Sequence, residues 1–462
     1  MSYDLVVLGS GPGGYVAAIR AAQLGMKVAI VEKAELGGVC LNWGCIPTKA
    51  LLKSAQVFDY LQHAKEYGIE APATKANLTD IVKRSRDTAA GMSKGVQFLL
   101  KKNKIHVIEG FGKLTSANKI NVSSESNGSS DVEANNILIA TGARSRELPN
   151  LKIDGKSIIG YRQALVLPKQ PKSMLIAGSG AIGSEFAYFF QTIGTEVTLV
   201  EFLPNIVPLE DIDVSKQLAK SFGKTGMKVM VNSSVEKVEV KEGKCHVDVK
   251  TDKGIEKFEV DVVLSAVGIE ANIEGIGLEE VGITTDKGKI LTNDFYETNI
   301  PGVYAIGDCI GGQDLAHVAS AEGIISVEKM AGHTPDPLDY NNIPGCTYCQ
   351  PEVASVGYTE KAALDAGYML KVGKFPFTAS GKASAAGHKD GFVKLIFDGQ
   401  YGELLGAHMI GYNVTELIAE IVALRKLETT GPELIKTIHP HPTMSEAVME
   451  AAAAAYGEVI HL

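Results

Sequence analysis

The sequence predicts an α/β protein of several domains: two of one repeated design, then a C-terminal module of α+β type. Three observations carry this. At 462 residues the chain exceeds one ordinary core, since about 150 residues per domain is typical. Forty-nine glycines within a 45% hydrophobic composition suit many tight strand-to-helix turns. A segment of strand, glycine-rich turn, helix and second strand occurs twice.

The first copy begins with Leu5-Val6-Val7-Leu8 and turns through Gly9-Ser10-Gly11-Pro12-Gly13-Gly14. It continues as a small-residue helix, Tyr15 to Leu24, and a strand ending in acid, Val28-Ala29-Ile30-Val31-Glu32. The second copy has Met174-Leu175-Ile176-Ala177, then Gly178-Ser179-Gly180-Ala181-Ile182-Gly183, a helix Ser184 to Ile193, and Val197-Thr198-Leu199-Val200-Glu201. One GxGxxG is weak evidence, but two in full strand, helix and acid context read as two Rossmann-like dinucleotide-binding units. Glycine permits the turn and the close approach of a pyrophosphate, and the helix N-terminus supplies N–H groups and a positive dipole end. Glu32 and Glu201 are placed to accept hydrogen bonds from ribose hydroxyls. No Lys or Arg occurs from Thr195 through Glu210, so the second unit is expected to prefer NAD over NADP.

Between the units, a helix is expected from about Leu78 to Lys102, then a polar hairpin at Ser123 to Ser130 and a strand Asn136 to Ala140 entering Thr141-Gly142. Val262 to Gly268 reads as a strand leaving the second unit. From about Cys346 onward, strand-like runs and a helical pattern over Ala447 to Ala455 suggest the α+β module.

Composition limits the partners. A net charge of −9 argues against nucleic acid, which needs clustered Lys and Arg, so Lys94 to Lys104 is expected to be a solvated helix face. No export signal or membrane span is visible, and a cytoplasmic protein is expected. Six cysteines, at 40, 45, 245, 309, 346 and 349, are too few for a disulfide scaffold; in a reducing cytosol a close pair points to catalysis.

Such a pair lies in Gly37-Gly38-Val39-Cys40-Leu41-Asn42-Trp43-Gly44-Cys45-Ile46-Pro47-Thr48-Lys49. Five residues of regular helix would separate the cysteines by roughly 7.5 Å of rise, beyond the reach of a disulfide. A redox pair here therefore requires a bend, which Gly44 eases; two small buried hydrophobes are the plain alternative. Pro47 suggests a helix starting near it, with Cys45 just outside the N-terminus, where a thiolate is favoured.

These motifs, with Thr298-Asn299-Ile300-Pro301-Gly302-Val303-Tyr304-Ala305-Ile306-Gly307-Asp308, resemble the class I pyridine nucleotide-disulfide oxidoreductases over essentially the whole chain. The resemblance implies a Cys40–Cys45 redox disulfide, FAD on the first unit and NAD on the second. It implies FAD contacts from Gly9, Gly11, Gly14, Glu32, Lys33, Lys49, Gly112, Thr141, Gly142, Asp308 and Ala316. NAD would meet Gly178, Gly180, Gly183, Glu185, Glu201, Val235 and Gly268, with Glu185 also pairing Lys49.

The segment His439-Pro440-His441-Pro442-Thr443-Met444-Ser445-Glu446 is similar to the branch of that family that oxidises dihydrolipoyl groups. By that match His441 is the acid/base and Glu446 orients it. Thr443 to Glu446 also fits a helix capping box, and His439 could be a plain loop residue. The implied boundaries are 1–148 and 272–342 for the FAD domain, 149–271 for NAD and 343–462 for a homodimer interface. The implied partners are dihydrolipoyl groups on an acyltransferase or a glycine-cleavage H-type protein, since the chain shows no lipoyl-like domain of its own.

Two departures stand out. Relatives usually carry Gly-Arg-x-Pro-Asn where this chain has Gly268-Ile269-Glu270-Ala271-Asn272, and Glu270 is expected to repel a 2′-phosphate further. Cys346-Thr347-Tyr348-Cys349 is a Cys-x-x-Cys with no second Cys/His pair nearby, so no metal is expected. Glutathione reductase chemistry would want NADP-binding arginines after Glu201, and mercuric reductase a C-terminal cysteine pair; neither is present. A scaffold subunit without chemistry is the alternative from another class.

Overall fold

Long apolar runs become the buried centres of parallel sheets. The structure, a computed structural model, describes residues 2–126 and 128–462. It divides into two compact units.

The first unit comprises Met1–Leu51, Asn77–Arg146 and Gly268–Tyr340. Its sheet runs in the order His106–Glu109, Val28–Glu32, Ser2–Leu8, Gly128–Ile139, Lys119–Ser124, Phe111–Ser116, with Val303–Ala305 also pairing with Gly128–Ile139. The first four strands pair in parallel, with Leu5 opposite Val28 and Leu8 opposite Ile139. Leu5 to Leu8 are all buried, as a parallel strand covered on both faces requires. The expected hairpin forms with Ser124 opposite Gly128; Asn127 lies outside the described residues. The helix expected over Leu78 to Lys102 spans those residues.

Two helices of this unit, Pro12–Gln23 and Ala316–Met330, touch through glycine. A Cβ on Gly13 would lie 2.9 Å from Ile306 Cδ1, and one on Gly323 would lie 2.8 Å from the Gly13 carbonyl oxygen. Arg20 and Glu328 close the same contact at 2.6 Å.

The second unit comprises Leu52–Ala76, Glu147–Val267 and Asn341–Leu462. Its parallel sheet has the order Lys228–Met230, Glu196–Val200, Ser173–Ala177, Val262–Ser265, Ile158–Ile159. A three-stranded antiparallel meander, Ser234–Lys241, Lys244–Thr251 and Gly254–Val260, is inserted in the chain between its strands Lys228–Met230 and Val262–Ser265. The C-terminal part is a five-stranded antiparallel sheet: Gly345–Thr347, Glu352–Gly357, Leu404–Gly411, Phe392–Asp398, Leu370–Pro376. Every residue of Phe392–Asp398 and Leu404–Gly411 is buried. Helix Glu446–Tyr456 packs so closely on this sheet that a Cβ on Gly373 would lie 1.9 Å from the Ala451 carbonyl oxygen.

One cation sits inside the second unit. Lys394, 2% exposed, reaches Asp211 at 2.9 Å, Asp213 at 3.2 Å and Glu360 at 2.7 Å. Burial pushes the Asp211 carboxyl up, but Lys394 and the Asp213 N–H hold it below the ordinary carboxylate range. Asp211 also caps helix Ile212–Lys224, so one buried group joins that helix to the C-terminal sheet.

Candidate active site

The two glycine turns are built alike, atom for atom. Gly9 and Gly178 adopt φ of +105° and +96°, and a Cβ on either would strike a backbone oxygen at 2.3 Å, that of Ala140 or Ala266. A Cβ on Gly14 or Gly183 would lie 2.0 or 1.9 Å from the oxygen of Gly9 or Gly178. These four glycines are required by the chain itself. Gly11 and Gly180 differ: each has ordinary extended backbone, and a Cβ there would meet nothing within 4 Å. The space in front of the middle glycine is left open at a helix N-terminus in both copies, as a pyrophosphate needs.

Behind each turn the acid is locked in place. The Ser10 N–H and hydroxyl donate to Glu32 Oε2 at 2.9 and 2.6 Å, and the Ala34 N–H donates to Oε1 at 2.9 Å. Ser179 N–H and hydroxyl donate to Glu201 Oε2 at 2.8 and 2.6 Å, and the Leu203 N–H to Oε1 at 2.9 Å. Sequence reasoning passed over both serines, although the second position of the GxGxxG is Ser in each copy.

In the first unit a cavity of about 220 Å³ opens beside Gly9. Lys33, Gly112 and Thr141 line it with Phe111, Arg144 and Glu274. Gly112 must stay bare, since a Cβ would lie 2.5 Å from Leu8 Cδ1. Asp308 sits at a turn led by Gly307, whose N–H donates to the buried Glu322 carboxylate at 2.6 Å. Burial, with Asp314 nearby, pushes the Asp308 carboxyl up to about 6. Ala316 opens the helix Ala316–Met330. The first unit thus offers a phosphate turn, a ribose acid and a cavity, a donor and acceptor set that fits an extended adenine dinucleotide such as FAD.

The departure at Gly268 to Asn272 has a structural account. Ile269–Ala271 pairs with Ala143–Ser145 in a short antiparallel ladder, with Glu270 directly opposite Arg144. Arg144 binds Glu270 at 2.9 Å and grips Glu274 with two bonds of 2.8 and 2.9 Å. Glu270 is thus paired, but Arg144 is shared between two carboxylates, so the Arg144, Glu270 and Glu274 cluster keeps a net negative charge. In the second unit Val235 is buried and Glu185 accepts the Tyr348 N–H at 3.0 Å; Gly268, with φ +114°, opens the last stretch of the first unit.

The cysteines lie at a break between two helices. Gly38–Trp43 ends at Gly44, with φ −141° and ψ −111°, and a new helix runs Cys45–Gln62. The break brings the Cα atoms of Cys40 and Cys45 to 4.7 Å, and the two form a disulfide. The helix starts at Cys45, two residues before the expected Pro47, because the Thr48 N–H donates to the Gly44 oxygen and closes a first turn that already contains the proline. Cys45 is thus the first helical residue, at the positive end of the helix dipole.

His441 is 79% exposed, and its Nδ1 lies 2.8 Å from Glu446 Oε1. Glu446 Oε2 accepts the Thr443 N–H at 2.8 Å. Burial works to raise the Glu446 carboxyl, but Thr443 and His441 prevail and hold it below the usual range. The capping box is only half formed: the Thr443 hydroxyl donates to the Pro440 oxygen, and Ser445 takes the N-cap position of helix Glu446–Tyr456. With its carboxylate bound to Nδ1–H, Glu446 leaves the His441 Nε2 lone pair facing solvent. Cys346 and Cys349 are in no disulfide, and among the described residues no group of three or more His, Cys, Asp or Glu side chains is placed to hold a metal.

A redox disulfide at a helix start, in one unit with a dinucleotide turn, and a second such turn in the other, define a nucleotide-dependent disulfide oxidoreductase. The chain belongs to the pyridine nucleotide-disulphide oxidoreductase family, whose model matches residues 3–323, and the dimerisation domain of the same family matches residues 343–452. It is 48% identical to the dihydrolipoyl dehydrogenase of Zymomonas mobilis, over 99% of both chains, and 43% identical to that of Bacillus subtilis, again over 99% of both. Its fold is similar to the crystal structure of LpdA from Mycobacterium tuberculosis, with a TM-score of 0.91 and 28% identity over 97% of this chain and 98% of that one. The chain is an oxidoreductase whose cofactors are FAD and NAD. Among the described residues no helix is long and apolar enough to cross a membrane.

Proposed function

We propose that the chain oxidises dihydrolipoyl groups, carried on an acyltransferase or a glycine-cleavage H-type protein, to the lipoyl disulfide. The observation that carries the reading is the Cys40–Cys45 disulfide held across a helix break, with Cys45 at the positive end of a helix. His441 Nε2 takes the proton of the first substrate thiol, and the thiolate attacks Cys40 Sγ. The Cys40–Cys45 bond breaks, and Cys45 leaves as a thiolate stabilised by the helix start. The second substrate thiol then attacks the mixed disulfide and releases Cys40. Two electrons and two protons have moved from the substrate to the protein. When bound, FAD would supply a two-electron acceptor for the Cys40 and Cys45 dithiol and a hydride donor for NAD, which would return the two cysteines to the disulfide with release of one proton.

The residues that hold these groups are the three glycines of each turn, with Glu32, Lys33, Lys49, Gly112, Thr141, Gly142, Asp308 and Ala316 for FAD. Glu185, Glu201, Val235 and Gly268 serve NAD. Residues 1–148 and 272–342 form the FAD domain, 149–271 the NAD domain and 343–462 the interface. In a two-fold dimer His441 of one copy serves the cysteines of the other. The work is done in the cytoplasm, which agrees with four further cysteines in no disulfide.

Steady-state rates with dihydrolipoamide and glutathione, each with NAD and NADP, test the reading. Dihydrolipoamide with NAD is expected to be the preferred pair, by at least about tenfold over NADP, or about 1.4 kcal/mol. Glutathione turnover with NADP at a comparable rate contradicts it.

A further inference from the structure

The turn that carries His441 holds a second histidine in a different state. The His439 side chain is 5% exposed, against 79% for His441. Its Nδ1 lies 3.0 Å from the Thr437 carbonyl oxygen, and its Nε2 lies 2.7 Å from Glu420 Oε1. A carbonyl oxygen and a carboxylate only accept. Each contact needs an N–H from the ring, so both ring nitrogens carry protons and the group is an imidazolium. The Glu420 hydrogen bond raises the imidazole's proton affinity and outweighs the opposing effect of burial.

The charged groups around His439 come from two helices. Glu420 lies on Val414–Lys426 and Glu446 on Glu446–Tyr456, and Glu446 attracts His439 while bonding His441. Along the turn the order is carboxylate, fixed cation, carboxylate, exchanging base. The turn cannot yield readily, because Pro440 between the two histidines and Pro442 just after His441 restrict its dihedrals. The turn is thereby tied at one end by His439 to Glu420 and at the other by the Thr443 N–H to Glu446.

We propose that His439 is a positioning residue: a buried imidazolium that pins the His439–Thr443 turn to helix Val414–Lys426 and so keeps His441 in line with Glu446. This rests on His441 being the acid/base of the dithiol reaction. A rise in pH that strips one proton from His439 removes one of its two bonds and loosens the turn, so dithiol oxidation falls on the alkaline side while hydride transfer to and from nicotinamide does not.

The test uses the FAD-loaded dimer labelled with ¹⁵N-histidine, with the His439 resonances assigned by their loss in His439→Gln. At pH 7 both ring nitrogens are expected to be protonated; a neutral tautomer overturns the inference. In kinetics, His439→Gln is expected to lower kcat for dihydrolipoamide between about ten- and a hundredfold, the scale of a small misplacement of a catalytic group, with NADH-driven reduction of an artificial acceptor unchanged. Glu420→Gln keeps an acceptor oxygen and removes the charge, so it should move the alkaline limb of the kcat profile to lower pH, and it serves if His439→Gln does not fold. A wild-type rate and an unmoved limb in these variants overturn the positioning role. The two claims separate through His441→Gln: dithiol oxidation surviving that change refutes the acid/base reading and the positioning role with it, whereas a neutral His439 refutes only the inference about His439.

Discussion

Replacing Gly180 by alanine separates what the turn needs for folding from what it needs for its ligand. Gly180 has φ −60° and ψ −174°, which alanine adopts freely, and the added carbon meets nothing within 4 Å. The protein without nucleotide should therefore be as stable as the parent or gain about 0.4–1 kcal/mol, from the lower entropy of the unfolded chain. That carbon occupies the approach of the pyrophosphate, so the KM for NAD should rise at least tenfold, about 1.4 kcal/mol. Gly183→Ala is the control, because its added carbon would lie 1.9 Å from the Gly178 oxygen and must push the turn apart, at about 1–3 kcal/mol or more. Thermal melting of the FAD-loaded protein with and without NAD, together with steady-state kinetics, reads both effects. An unchanged KM in Gly180→Ala, or Gly183→Ala as stable as the parent, would refute the division of roles among the three glycines.

Glu201→Ala should narrow the preference for NAD over NADP, since it removes the buried acid behind the second turn; an unaltered ratio of specificity constants would assign the discrimination elsewhere. Lys394→Met leaves Asp211 buried without its cation and should cost about 3–5 kcal/mol of stability, measured by denaturant unfolding. Asp308, with its carboxyl raised to about 6, contributes stability that is complete below the unfolded value of 3.8 and is lost as pH rises through about 6. In the FAD-free protein Asp308→Asn should therefore flatten the fall in stability across that window, and a slope equal to the parent's would contradict the burial argument.

The parts legible in the sequence are those set by local pattern. Strand, glycine turn, helix and acid follow within about thirty residues in both copies, so the elements at Leu5 to Glu32 and Met174 to Glu201 could be placed before any tertiary contact was known. The helix Leu78–Lys102 was legible for the same reason. Features that depend on distant partners were not. Arg144 faces Glu270 across 126 residues of chain, and only the strand register shows that the unusual acid of the Gly268 to Asn272 segment is paired with an arginine. Lys394 lies in a strand that is buried throughout, where a lysine reads as a surface residue until Asp211, Asp213 and Glu360 are seen around it. At the candidate site the cysteine pair and His441 were visible as residue types in spacing, while the start of the second helix at Cys45 and the state of His439 follow from hydrogen bonds that no spacing displays.

The relay from dithiol to disulfide to nicotinamide, with His441 acting across the dimer, is tested most directly by a mixed dimer of one Cys45→Ser chain and one His441→Gln chain. Shared sites leave one complete set of cysteines and base per dimer, so each mixed dimer, isolated after recombining the two inactive homodimers, should show about half of the parental dihydrolipoamide oxidation. No recovery, in mixed dimers shown to be stable and loaded with FAD, would contradict the account: His441 would then serve the cysteines of its own chain or none.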